Sequence, residues 1–276
     1  MCQLLGTSCN RPTQIYFLWS GFQRRGGHTD THSDGWGLSF FEGNSVRLFM
    51  DENSCCNSSL AQWVKCCPFK SNIIMAHIRR ATEGTVELSN THPFVRELWG
   101  RNWVFAHNGT LKNYYPEHKR FFPIGDTDSE RAFCWIMDQL AERFPSAKPN
   151  ALPDKNELLE VLLELTTEVS KYGVFNYILS YGEFLIARCA SHLHYTLRQA
   201  PFGVIKLLDD NQEIDLGVVL DDVETQMAVI ATQPLTNEHW LRIQPGVLMA
   251  FENGKIIHTI QGDPGATPGV ASVVGK

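Results

Sequence analysis

Through roughly residues 2 to 125, apolar and polar positions follow one another in short runs cut by Gly, Asn and Pro, a pattern that predicts strands. Leu38 to Phe41 and Ser45 to Phe49 flank Glu42-Gly43-Asn44 and read as a hairpin. Ile73 to Ile78 and Asn102 to His107 are apolar runs of strand length that end in polar, histidine-bearing turns. The pattern then changes period. Thr127-Asp128-Ser129-Glu130 has the S/T-x-x-E form that starts a helix, and Ala132, Phe133, Ile136, Met137, Leu140 and Phe144 follow at helical spacing up to Pro145. Pro145 to Pro153 contains three prolines and reads as a loop. A second helix is predicted from about Glu157 to Lys171, with Leu158, Leu162, Leu165 and Val169 inward.

Strands return at Tyr177 to Ser180, Phe184 to Cys189, Tyr195 to Gln199 and Met227 to Thr232. Gly246 to Phe251 pairs through Glu252-Asn253-Gly254 with Lys255 to His258, and residues 262–276 read as a loosely held tail. Strands, two central helices and strands again, without a βαβ rhythm, predict an α+β domain over residues 2–261. It should consist of two antiparallel sheets with helices layered outside. Periodicity alone does not name that fold.

Composition narrows the function classes. With 276 residues, 43% hydrophobic, and a net charge of -6, the chain is expected to be a globular protein with a substantial core. Its apolar runs are far shorter than the ~20 residues of a spanning helix. The residues after Met1 carry neither a basic nor an apolar signal region, so a cytosolic home with no membrane partner is expected. The acidic balance lacks the clustered cations that phosphate neutralisation needs, which argues against nucleic acid and for a small-molecule substrate. Cys55-Cys56 and Cys66-Cys67 lack the C-x2-4-C spacing of a zinc site, so reduced thiols without metal or cofactor are expected.

Cys2 is the first chemical candidate. Met aminopeptidases remove Met1 efficiently ahead of a small residue, which would leave a cysteine carrying a free α-amine. A thiol of pKa about 8.5 and an α-amine of about 7.7 to 8 place nucleophile and base on one residue. A retained Met1 would make that nitrogen an amide without a basic lone pair. Arg79, in His77-Ile78-Arg79-Arg80-Ala81-Thr82-Glu83-Gly84, closes a strand with a planar fork suited to a carboxylate; a solvated surface pair is the plainer reading. Asn108-Gly109 is a turn signal after a strand, and also a combination able to form an oxyanion hole from an Asn amide and a Gly N–H. Asp128 suits a helix start, and equally a substrate ammonium. Together, Arg79 and Asp128 describe an α-amino-acid clamp.

In this order, Cys2, His77-Ile-Arg79-Arg-Ala-Thr82, Asn90-Thr-His-Pro-Phe94, His107-Asn108-Gly109 and Thr127-Asp128-Ser-Glu130 resemble the glutaminase domain of class II (N-terminal cysteine) glutamine amidotransferases. The closer likeness is to the stand-alone YafJ-like group, which carries Arg at the place of Arg80 where larger synthases carry an aromatic residue. Ser33-Asp34-Gly35-Trp36-Gly37 and the late Ala231-Thr232-Gln-Pro234-Leu235, Trp240 and Pro245-Gly246 segments are similar to that group too, so the resemblance runs from Cys2 to about Phe251.

The resemblance implies an Ntn-hydrolase fold, a four-layer αββα sandwich. It also implies attack by Cys2 on the γ-carbonyl of glutamine or a γ-glutamyl amide, with the thioester then hydrolysed to glutamate. It assigns the α-carboxylate to Arg79 with Thr82 beside it, the oxyanion hole to Asn108 and Gly109, and the α-ammonium to Asp128. No role passes to Glu83, which stands where synthases often have a histidine, and Asp34 to Gly37 are expected to shape a turn.

A Cys–His protease or acylase using His77, His92 or His107 is a competing reading that leaves Arg79 and Asp128 idle. A catalytically silent or regulatory subunit is another. The leaving group, and whether the protein works as a homo-oligomer or with a separate acceptor subunit, have no sequence signature.

Overall fold

The computed structural model describes residues 2–220 and 222–263. Its strands in chain order are β1 (Gln3–Thr13), β2 (Trp36–Glu42), β3 (Ser45–Asp51), β4 (Ser71–Ile78) and β5 (Phe94–Leu98). There follow β6 (Arg101–Leu111), β7 (Gly173–Ser180), β8 (Leu185–Arg188), β9 (His194–Arg198) and β10 (Val204–Lys206). The last five are β11 (Glu213–Asp215), β12 (Met227–Ala231), β13 (Leu241–Arg242), β14 (Val247–Glu252) and β15 (Lys255–Gln261). The helices are α1 (Tyr16–Phe22), α2 (Ser59–Lys65), α3 (Asp128–Arg143), α4 (Lys155–Ser170) and α5 (Leu216–Leu220).

Two large antiparallel sheets carry the architecture. One runs β13-β9-β12-β1-β4-β2-β3, the other β15-β14-β8-β7-β6-β5, and β10 and β11 form a small separate ribbon. Because side chains alternate along a strand, each strand serves two cores. In β4, Ile73 and Met75 face the other sheet, whereas Ile74, Ala76 and Ile78 join the cluster that also holds residues of α1, α2 and α5. In β6, Val104 and Ala106 face inward and Trp103 and Phe105 pack in the cluster with α3 and α4. The result is four layers, αββα, as expected.

Two short helices fall where only strands were expected. Every residue of α1 except Tyr16 is buried, so it shows no polar face and hence no helical period. The seven-residue α2 is too short for a period to register; Ser58 caps it by accepting from the Ala61 N–H. The start of α3 follows the sequence pattern, with the Thr127 hydroxyl accepting from the Glu130 N–H at 3.2 Å. The Glu130 carboxylate does not return to Thr127; it accepts from the Gly125 N–H and pairs with Arg96. The expected tail reaches the described residues only at Gly262 and Asp263, and its remainder lies outside them.

Candidate active site

The inner faces of the sheets are apolar over most of their length and polar at one end. Parity along the strands explains which residues meet there: Leu4 of β1, Ala106 of β6, Ile178 of β7 and Ile230 of β12 belong to the inter-sheet core. Residues two positions further along the same faces are therefore Cys2, Asn108, Asn176 and Thr232. All four are buried.

Cys2 enters β1, a central strand between β4 and β12. Its Sγ accepts the Arg80 N–H at 3.3 Å and lies 3.4 Å from the Arg80 carbonyl, to which the thiol donates. Burial raises its pKa, opposed by the Arg80 N–H and the charge of Arg79 and assisted by the charge of Asp128. The segment bearing Arg79 and Arg80 is braced by Asp34. Its Oδ2 accepts from the Ala81 N–H at 2.8 Å, while the Arg79 N–H donates to the Gly35 carbonyl at 2.8 Å. That is the structural role expected of Asp34 to Gly37.

Arg79 is buried, and burial lowers its pKa. Its Nη1 donates to the Thr85 carbonyl at 2.9 Å and its Nη2 to the Glu83 carbonyl at 3.0 Å, with longer contacts to Asp34 and Gly84. The fork thus holds the 83–85 loop. Thr82 is exposed, and its hydroxyl meets that of Thr110 at 3.1 Å. Asp128 is buried at the first turn of α3, where its Oδ2 accepts from the Leu111 N–H at 2.6 Å and its Oδ1 from the Ser129 N–H at 2.8 Å.

The Asn108-Gly109 dipeptide is not a turn. Both residues lie inside β6, paired with Asn176 and Phe175 of β7. A Cβ at position 109 would sit 1.8 Å from the Val174 carbonyl oxygen, so the glycine is there to let β7 approach. The Asn108 Nδ2 donates to the Thr232 hydroxyl at 3.3 Å, and its Oδ1 has no hydrogen-bond partner among the described residues. Thr232 Oγ1 also accepts from the Leu4 N–H at 2.9 Å, so one hydroxyl ties the cysteine-bearing strand to Asn108.

The histidines are engaged elsewhere. His77 Nε2 donates to the His107 carbonyl at 3.1 Å, and burial brings its pKa down to about 3. His107 bonds Ser129 Oγ through Nδ1 and the Val174 carbonyl through Nε2; burial lowers its pKa against the pull of Asp128. His92 is packed between the rings of His77 and Phe94 at 4.2 and 4.4 Å, and burial drives its pKa well down. Among the described residues none of the three hydrogen-bonds to Cys2, and the Cys–His arrangement is not formed.

Cys2 opens into a cleft of about 240 Å3 whose walls include Gln3, Asp30, His32, Arg80 and His192. Sequence reasoning assigned none of these, nor Thr232 and Asn176, to the site. The available signal was the run Gly26 to Gly35, which carries no large apolar side chain yet lies between two buried elements. A larger cavity, of about 440 Å3, lies between residues 113–119 and helices α3 and α4, and no candidate residue lines it.

Comparison with known proteins identifies the family. The profile of class II glutamine amidotransferases matches residues 1–268. The chain belongs to that family. It is 48% identical over 255 residues to the Escherichia coli protein named "Putative glutamine amidotransferase YafJ", covering 91% of this chain and 97% of that one. A crystal structure of a predicted glutamine amidotransferase from Pseudomonas aeruginosa superposes with a TM-score of 0.72 at 37% identity, over 93% of this chain and 100% of its own. An allosteric regulatory enzyme of purine biosynthesis shares the fold alone, at 14% identity and a TM-score of 0.50, covering 94% of this chain and 49% of its own. The αββα sandwich is the Ntn-hydrolase fold. No helix among the described residues is long and apolar enough to cross a membrane.

Proposed function

We propose that this protein hydrolyses the γ-amide of glutamine or of a γ-glutamyl compound through a thioester on Cys2. The observation that carries the reading is the polar end of the inter-sheet layer. There the Cys2 thiol is buried at the start of a central strand under the charges of Arg79 and Asp128, and Thr232, which shares its cleft, holds the Asn108 amide.

In the proposed sequence, removal of Met1 frees the Cys2 α-amine, which takes the thiol proton. The thiolate adds to the γ-carbonyl, and the oxyanion meets Asn108 and Gly109. A primary amide has two N–H donors, and Thr232 occupies one of those of Asn108, leaving the other for the oxyanion. Collapse expels the amine with the proton held on the α-amine, and water cleaves the thioester to glutamate. Asp128 holds the substrate ammonium, and Arg79 takes the α-carboxylate in exchange for the loop carbonyls it now binds, with Thr82 on the adjacent rim. The loop at residues 83–85 therefore has to move when substrate enters. No cofactor, metal or nucleotide takes part.

The test is glutamate release, without ATP or metal, by protein whose intact mass establishes a free Cys2. Cys2→Ala should abolish release and keep the circular dichroism spectrum. Full activity in that variant removes Cys2 as the nucleophile.

A further inference from the structure

The cleft that opens on Cys2 does not include Arg79, Thr82, Asn108 or Asp128 in its walls. If the glutamyl head is held by those residues, the cleft is left for the other side of the scissile bond. Its volume, about 240 Å3, can be set against the leaving group it would face. Ammonia is about the size of water, which occupies roughly 30 Å3 in the liquid, so the cleft has room for a leaving group several times larger.

Charge then selects its chemistry. The carboxylate on the cleft wall is held by hydrogen bonds: Asp30 accepts from Gln3 Nε2 at 3.4 Å and from the Thr31 N–H at 2.7 Å, and its Oδ2 lies 3.0 Å from His32 Nδ1. Gln3 is held in turn by Arg25, whose own charge goes to Asp209. On the rim, the Arg80 side chain is exposed and makes no hydrogen bond or ion pair among the described residues, although its backbone touches Cys2 Sγ at 3.3 Å. An arginine without a side-chain partner, lining the same cleft as Cys2, His192 and Gln233, is a receptor for a carboxylate.

We infer that the substrate is a γ-glutamyl amide whose leaving group is an amino acid or short peptide, and that Arg80 binds its carboxylate. The inference rests on the hydrolase reading above and adds the leaving group to it. In a γ-glutamyl amino acid the carboxyl carbon is two bonds from the scissile nitrogen, about 2.5 Å away, so a group bonded at Cys2 is within the swing of an Arg80 side chain. Attack forms the S–C bond and breaks the C–N bond. The amino acid leaves with the proton from the Cys2 amine, and water then returns the enzyme and glutamate.

The experiment compares γ-glutamylglycine, γ-glutamylglycinamide and glutamine as substrates for Met-processed wild type, Arg80→Ala and Arg80→Lys, reading glutamate release. Wild type should prefer the acid over the neutral amide by about twofold to fivefold in kcat/KM, the range an ion pair with an exposed arginine supplies. That ratio should fall close to one in Arg80→Ala and to an intermediate value in Arg80→Lys, which keeps the charge and loses the fork. A wild-type ratio near one, with glutamate released, overturns the carboxylate inference and leaves the hydrolase reading standing. A ratio that survives Arg80→Ala overturns the assignment to Arg80. Absence of glutamate from all three substrates, with Cys2 free, overturns both.

Discussion

Thr232→Val isolates one hydroxyl on which the site geometry depends. The side chains have nearly the same shape, so the substitution leaves no large cavity and changes only hydrogen bonding. Thr232 Oγ1 accepts from the Leu4 N–H at 2.9 Å and from Asn108 Nδ2 at 3.3 Å. Both partner residues are 0% exposed, so water cannot replace the lost acceptor. An orphaned buried donor costs roughly 1 to 3 kcal/mol, and the second bond is the longer, so the sum should be about 2 to 4 kcal/mol. Against a typical domain stability of about 5 to 15 kcal/mol the variant should still fold. Urea unfolding should show a lower midpoint at an unchanged slope, with Thr232→Ser much closer to wild type. Under the proposed chemistry kcat should fall as well, because the same loss frees both the cysteine strand and the Asn108 amide. A stability change under about 0.5 kcal/mol in Thr232→Val, the ordinary range of surface substitutions, would refute the bridging role.

Three other outcomes follow from the same geometry. Asn108→Ala should lower kcat by roughly 10²- to 10³-fold with a smaller effect on KM; a raised KM with normal kcat would make it an ordinary substrate contact. Gly109→Ala places a Cβ 1.8 Å from the Val174 carbonyl oxygen and should prevent recovery of folded protein, so a normally stable variant contradicts the β6–β7 register. His77 is held uncharged, its pKa lowered from 6.5 to about 3, so the unfolded chain takes up the proton first as pH falls. Its contribution is full above the unfolded value and is lost toward the folded one, at about 1.4 kcal/mol per pH unit. Urea titrations near pH 7, 6 and 5 should show a shallower slope in His77→Gln than in wild type, and equal slopes would show that His77 is not the titrating group.

The sequence was legible where a pattern had a local cause. The Thr127 cap and the apolar stripe of the following helix depend on neighbours within a few residues, and both are found in α3. The hairpin at Glu42-Gly43-Asn44 is local too, and β2 and β3 pair across it. Asn108-Gly109 misled because its glycine answers to a distant strand: the atom that excludes a side chain is the Val174 carbonyl, and nothing near position 109 in sequence reveals it. Thr232 and Asp30 were hidden for the same reason. The first is 228 positions from the Leu4 N–H it accepts, and the second meets Gln3 across 27 positions. Arg79 was singled out by residue type, and its partners are backbone carbonyls of the 83–85 loop, which carry no sequence signature.

The electrostatics of Cys2 bear on why a free N-terminus matters in the proposed mechanism. Burial raises the thiol pKa, and a protonated buried thiol is a poor nucleophile. The Arg80 N–H and the charge of Arg79 favour the thiolate, yet neither can remove a proton. The buried histidines cannot serve from where they stand, since the sulfur's hydrogen-bond partners among the described residues are the Arg80 backbone groups. Asp34, which braces the Arg80 segment, is committed to the Ala81 N–H. In the proposed mechanism the proton acceptor is the α-amine of Cys2 itself, whose basicity exists only when residue 1 is gone. A chain that keeps Met1 would retain the cleft and the proposed clamp and oxyanion donors and still fail at the first step, so its kinetics should match those of Cys2→Ala.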